Sequence, residues 1–251
     1  MILDKFNLND QLAMVVGNNS YCETLALALA GAGADIFYIG ENPDIAATIL
    51  AGVHDLGRKV DTRIAKNSDH SQILKIVQEV ESNFSPVDIL VNCNSSEFFK
   101  PAVDTTLQEW HDVIDINLNS VFYWCTEVGK LMLKHNKGRI INVISELATR
   151  GLPNSTAYCA SMGGIVQFTR ALALEWAGKG IRVNALALGW FPGPAISEDK
   201  AQRNALLRYI PTRRFGQPKD LEGLAIYLAS EAGDFMTGQA IFVDGGVVAR
   251  A

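Results

Sequence analysis

The sequence predicts a single α/β domain built on a doubly wound parallel sheet of seven strands. Three observations carry that expectation. Short β-branched or apolar runs alternate with longer amphipathic stretches along the whole chain, which is the pattern of βα units wound into a parallel sheet. The connections are short except after the sixth strand candidate. The chain has 251 residues, 48% of them hydrophobic, enough for one large core at a length where α/β proteins often run as one domain.

In chain order, the apolar run Leu12–Gly17 (LAMVVG) is the first strand, and Tyr21–Gly31 is a helix stopped by its final glycine. Asp35–Ile39 is the second strand and Pro43–Leu56 the helix behind it, with Gly57 as the stop signal. Val60–Ile64 and the helix His70–Phe84 make the third unit, and Val87–Asn92 is the fourth strand. One long helix is expected over Leu107–His135, then the strand Arg139–Ser145 and the helix Thr156–Ala177, closed by Gly178. Arg182–Ala187, the helix Pro218–Ser230 and the strand Ala240–Val243 complete the sheet. Between the last two units, Leu188–Gln217 carries most of the late prolines and a short helix near Glu198–Arg208. Ligands of open α/β sheets sit at the carboxyl ends of strands, so this insertion reads as a lid over a pocket. There are no repeats, low-complexity segments or linkers.

The formal net charge is −5, with Lys and Arg scattered rather than clustered, which argues against nucleic acid or an anionic membrane as partner. A small molecule or another protein is the expected partner. Cys22, Cys93, Cys125 and Cys159 lie far apart, without a C-x-x-C pair, and the N-terminus lacks a basic flank followed by an apolar run. These features suit a cytoplasmic protein with free thiols. The apolar runs are too short or too broken to span a bilayer. His54, His70, His111 and His135 show no metal-ligand spacing and read as surface or helix-end residues, so no metal is expected. Trp110, Trp124 and Trp176 read as core or subunit-interface residues, and Trp190 and Phe191 as packing at the mouth of the pocket.

Ser145 ends a strand, Tyr158 opens the next helix thirteen residues later, and Asn117 lies in Ile114–Leu118 (IDINL) within the long helix before that strand. With Gly138–Val143 (GRIINV), Ile181–Ala185 (IRVNA), Arg214–Pro218 (RFGQP) and Val243–Gly246 (VDGG), this spacing resembles the short-chain dehydrogenase/reductase family over essentially the whole chain. The N-terminal segment Met1–Leu8 is also similar to the 2-deoxy-gluconate type of sugar-acid dehydrogenase. The resemblance implies a Rossmann-type sheet and NAD(P)-dependent hydride exchange with a secondary alcohol or ketone. It also implies a serine that polarises the substrate oxygen, a tyrosinate that exchanges the proton, and a lysine and an asparagine in a proton relay.

Several positions depart from the family's pattern. The lysine expected four residues after Tyr158 is Met162, on the same helix face. A cation there would favour the phenolate, whereas methionine supplies neither charge nor a hydrogen-bond donor. An unperturbed tyrosine titrates near pH ~10, so only about one in a thousand is ionised at neutrality. The glycine-rich T-G-x-x-x-G-x-G loop aligns with Val16–Glu23 (VGNNSYCE), which keeps Gly17 but carries Tyr21 and Glu23 in place of the later glycines. Tyr21 crowds the backbone approach to a pyrophosphate, and Glu23 opposes an anion at the helix N-terminus. Ala65–Asn67 offers Lys66 where the family has an aspartate near the adenine. Of the Asn-Asn-Ala-Gly after the fourth strand only Asn92 persists, followed by Cys93, and Gly189 stands in a Leu188–Pro194 segment without the usual proline and threonine. Ile39–Asn42 has no basic residue for a 2′-phosphate, so NAD is preferred to NADP if either binds.

Losses crowd into the cofactor and relay positions, while Arg214–Leu228 and Gly238–Gly246 keep the family pattern. The expectation is a degenerate member in which Ser145, Tyr158 and Asn117 are vestigial and Gly17, Tyr21, Glu23, Asn92 and Gly189 hold no cofactor tightly. In the family, the two long helices and the C-terminal strand region form tetramer contacts. Such a chain would serve as the structural subunit of a tetramer, with itself or with an active paralogue, as in the heteromeric benzylsuccinate-pathway hydroxyacyl-CoA dehydrogenase it resembles. The alternatives are an active NAD-dependent oxidoreductase on a small alcohol or ketone, with Lys66 or Arg150 compensating, and non-redox chemistry of the halohydrin-dehalogenase kind.

Overall fold

The structure, a computed structural model, describes residues 1–84, 86–193, 196 and 199–250. Seven strands, β1 (Leu12–Val16), β2 (Asp35–Gly40), β3 (Val60–Ile64), β4 (Val87–Asn92), β5 (Gly138–Ser145), β6 (Ile181–Leu188) and β7 (Ala240–Val243), form one sheet in the order β3-β2-β1-β4-β5-β6-β7. Every neighbouring pair is parallel. The order reverses between β1 and β4, which opens a crevice at their carboxyl ends.

A sheet covered on both faces explains the near-continuous apolar runs read as strands. Side chains of β1 alternate between the two cores: Leu12, Met14 and Val16 join the cluster with Trp124, Ile140 and Ile165, while Ala13 and Val15 join the one with Leu25, Ile49 and Leu228. The covering helices are α1 (Ser20–Gly31), α2 (Pro43–Asp55), α3 (His70–Asn83), α4 (Leu107–Ile114), α5 (Ser120–His135), α6 (Thr156–Trp176), α7 (Lys200–Tyr209) and α8 (Glu222–Ala229). Side chains cap several of them: Asn19 on α1, Asn42 on α2, Asp69 on α3, and a Thr106–Glu109 capping box on α4.

Two elements differ from expectation. The helix expected over Leu107–His135 is interrupted by a π-turn, Asp115–Asn119, and Pro218–Leu221 is a 3₁₀ turn before α8. The expected short helix appears as α7, and its anticipated first residue, Glu198, lies outside the described residues. Trp124 is fully buried and donates from its indole nitrogen to the Asn67 carbonyl (3.0 Å), whereas Trp110 is half-exposed. Among the described residues no helix is long and apolar enough to cross a membrane, and no cluster of His, Cys, Asp or Glu is arranged to hold a metal.

Candidate active site

The carboxyl ends of β1, β4, β5 and β6 surround a cavity of about 420 Å³. Ser145 is the last residue of β5, paired in register with Leu188 of β6, so its side chain leaves the sheet at the cavity. Its hydroxyl accepts from the Leu147 amide (3.2 Å), which leaves the hydroxyl proton available to a ligand. Tyr158, in the first turn of α6, brings its hydroxyl to the same cavity, 3.3 Å from Ser95 Oγ. The predicted serine and tyrosine therefore line one cavity.

Burial raises the Tyr158 hydroxyl above its ordinary value, and the Glu97 carboxylate adds to the rise against the opposing Ser95 and Ser145 hydroxyls. Among the described residues no cation offsets it. Met162, one turn further along α6, is fully buried in the core cluster and does not line the cavity. Neither Lys66 nor Arg150 lines it either: Arg150 stands 3.6 Å from Glu146 with its guanidinium over the Tyr209 ring. Tyr158 is thus a neutral phenol across the neutral range.

Asn117 sits in the π-turn, and its amide is spent on structure. It accepts from the Ser96 amide (2.7 Å) and donates to the Ser96 carbonyl (3.1 Å) and Ser161 Oγ (3.0 Å), while Ser161 donates to the Tyr158 carbonyl (2.7 Å). It fixes the loop after β4, which carries Ser95, against the helix that carries Tyr158. Its place is behind the site, not at the cavity wall.

Of the residues aligned with the family's cofactor positions, Tyr21 and Gly189 line the cavity and Gly17, Glu23 and Asn92 do not. Gly17 has φ +153°, and a Cβ there would lie 2.8 Å from Cys22 Sγ and 2.9 Å from Cys93, so glycine is kept for packing. Asn19 accepts from the Tyr21 amide (3.1 Å) and donates to the Cys93 carbonyl (2.7 Å), occupying part of the α1 N-terminus. Asn18 hydrogen-bonds both the backbone amide and the carboxylate of Glu41, latching the ends of β1 and β2 together. The Tyr21 ring meets Phe191 edge-on (centroids 5.7 Å apart), and burial pushes its hydroxyl up to about 12. Asn92 is buried and donates to Asn142 (2.9 Å), tying β4 to β5. A Cβ on Gly189 would lie 2.5 Å from Asp244, so the β6 terminus needs glycine to pass β7.

The cavity also holds residues that sequence reasoning missed. Glu146, directly after Ser145, is 2% exposed, and burial pushes its carboxyl up to about 7 despite Arg150. Glu97 and Phe99 come from the loop after β4, while Trp190 and Phe191, expected at the pocket mouth, line the cavity from the segment after β6. The lining contains two carboxylates, several aromatic rings and, among the described residues, no Lys, Arg or His. The adjacency of an acid to the strand-end serine was the available signal for Glu146. For Glu97 the sequence carried none.

Residues 15–248 match the family described as enoyl-(acyl carrier protein) reductase. A 2-dehydro-3-deoxy-D-gluconate 5-dehydrogenase of Pseudoalteromonas atlantica is 38% identical over 99% of this chain and 100% of its own length. A D-threitol dehydrogenase of Mycolicibacterium smegmatis is 34% identical over 96% of this chain and 94% of its own. The crystal structure of a gluconate 5-dehydrogenase from Burkholderia cenocepacia in complex with NADP and tartrate superposes with a TM-score of 0.94, at 32% identity over 100% of both chains.

Proposed function

The chain belongs to the short-chain dehydrogenase/reductase family, and from that premise we propose that it is an oxidoreductase acting on a small keto or hydroxy compound. The observation that carries this reading is that Ser145 and Tyr158 line the same cavity. Full-length relatives named as sugar-acid and polyol dehydrogenases support an active oxidoreductase over the silent subunit suggested by the substitutions alone.

In this reading the two hydroxyls have complementary tasks. Ser145 donates to a ligand oxygen and polarises it, and Tyr158, held neutral by burial and by Glu97, delivers a proton to the same oxygen. A neutral phenol is ready for carbonyl reduction. The reverse reaction needs a phenolate, which no nearby cation supports, so alcohol oxidation climbs with pH through the alkaline range.

The dinucleotide used by relatives meets a poor fit. Tyr21 occupies the phosphate-loop face of the cavity, Asn19 caps the α1 N-terminus, no cation lines the site among the described residues, and Met162 has no donor for a ribose hydroxyl. The residues present do not fit a tightly held dinucleotide. That observation favours a second reading, in which an active relative completes the assembly and this chain contributes structure.

Calorimetry with NADH and NADPH, paired with turnover assays on D-threitol and small hydroxyketones, separates the two. Weak, millimolar-range cofactor binding and turnover that disappears in Tyr158→Phe are expected. Absence of turnover at saturating cofactor, with NADH binding recovered only in a mixed assembly, would establish the silent subunit instead.

A further inference from the structure

Two buried polar groups in the cavity wall lack partners. Both carboxyl oxygens of Glu146 and the indole Nε1 of Trp190 make no hydrogen bond among the described residues, although both residues line the cavity. Glu146 is 2% exposed; Arg150 stands at 3.6 Å, too long for a hydrogen bond, and the Asp244 carboxylate opposes its ionisation. Unsatisfied polar atoms in a buried wall are costly unless a ligand or water completes them. Here they supply an acceptor and a donor.

The charge of the same wall limits what can complete them. Glu97 and Glu146 are the ionisable acids of the lining, which among the described residues contains no Lys, Arg or His. A ligand carboxylate would be desolvated against acids of its own sign. A hydroxyl, in contrast, both donates and accepts, and so can meet a carboxylate or an indole N–H. Rings of Tyr21, Phe99, Tyr158 and Phe191 provide apolar faces for a carbon skeleton.

We propose that Glu146 and Trp190 form a specificity subsite for uncharged polyhydroxylated ligands, anchoring their hydroxyls and excluding carboxylated sugar acids. The subsite deepens the oxidoreductase reading, because it places the remote hydroxyls of a substrate whose reacting oxygen lies at Ser145 and Tyr158. A carboxyl pushed up to about 7 suits this task, since its protonated form donates as well as accepts.

D-Threitol and tartrate form a matched pair of probes, sharing a four-carbon dihydroxylated core and differing in terminal hydroxymethyl groups or carboxylates. Binding to the full chain, read by saturation-transfer NMR and calorimetry without cofactor, should favour threitol by about tenfold or more. Glu146→Leu should weaken threitol by a similar factor without reducing thermal stability, and Trp190→Phe by a few-fold. The doubly neutralised Glu97→Gln/Glu146→Gln variant should narrow the discrimination by strengthening tartrate. Equal or tighter binding of tartrate to the wild type, no detectable threitol binding at high millimolar concentration, or an unchanged threitol affinity in Glu146→Leu would overturn the subsite. Turnover confined to carboxylated substrates would overturn it while leaving the oxidoreductase reading intact, and threitol binding without turnover would do the reverse.

Discussion

Glu146 combines a buried carboxyl with a cavity wall, and this makes the protein's stability depend on pH in a defined window. Its carboxyl is pushed up from 4.5 to about 7, so the folded state holds a proton that the unfolded chain releases. The contribution is therefore complete below about pH 4.5 and disappears as pH rises through about 7. Its full size is roughly 3 kcal/mol. Glu146→Gln should flatten the decline in thermal midpoint between those limits, and an identical decline in the variant would show that another group is responsible. At Tyr158 the missing cation gives a second prediction. Met162→Lys should lower stability, because it buries an amine in the core, and should move the alkaline limb of alcohol oxidation to lower pH by favouring the phenolate. A pH–rate profile that does not move would exclude coupling between positions 158 and 162. The serine, the tyrosine and the absent lysine were legible because strand-end and i, i+4 spacing carry their geometry. Glu146 was signalled only by its adjacency to the strand-end serine, because sequence does not distinguish an acid aimed into a cavity from one aimed into water.

The seven strands and the helices behind them were legible at the scale of elements. Burial on both faces makes parallel strands read as continuous apolar runs, and side-chain caps and glycines bound the helices. The π-turn at Asp115–Asn119 was not, since one extra residue in a helical turn leaves the apolar pattern of its flanks nearly unchanged. That turn presents the fully buried Asn117 to Ser96 and Ser161, locking the loop after β4 against α6. Asn117→Ala removes three hydrogen bonds and strands the Ser96 backbone, and should cost about 3 kcal/mol in urea unfolding. It should also raise KM more than it lowers kcat, because the displaced loop carries Ser95 and Glu97 while Ser145 and Tyr158 stay on their own elements. A fall in kcat alone with unchanged stability would return Asn117 to a direct part in proton transfer.

The outer helical layer over one face of the sheet bears more apolar surface than a solitary domain needs. Phe122 on α5 is 49% exposed and its ring packs 6.0 Å from that of Phe168 on α6, while Leu174 on α6 is 82% exposed. Trp110 and Ile116, each 37% exposed, extend the apolar surface along α4 and the π-turn. Fully burying such side chains is worth about 1.5–3 kcal/mol each, and clustered apolar patches on soluble proteins mark contact surfaces. The helices α5 and α6 also carry Trp124 and Trp176 into the core, so this layer is rigid before any partner arrives. The purified chain is expected to sediment as a dimer or tetramer at micromolar concentration, and Phe122→Asp combined with Leu174→Asp to shift it to monomer without unfolding. Native mass spectrometry after co-expression with an active family relative then identifies the second copy: masses of one chain only mean self-assembly, and mixed masses mean a heteromer. A wild-type chain that stays monomeric at high micromolar concentration would leave this surface without an assembly role. Because Tyr158 opens the same α6 whose outer residue Leu174 lies in the patch, loss of assembly should also loosen the cavity, giving the double variant a higher KM for any substrate the wild type accepts.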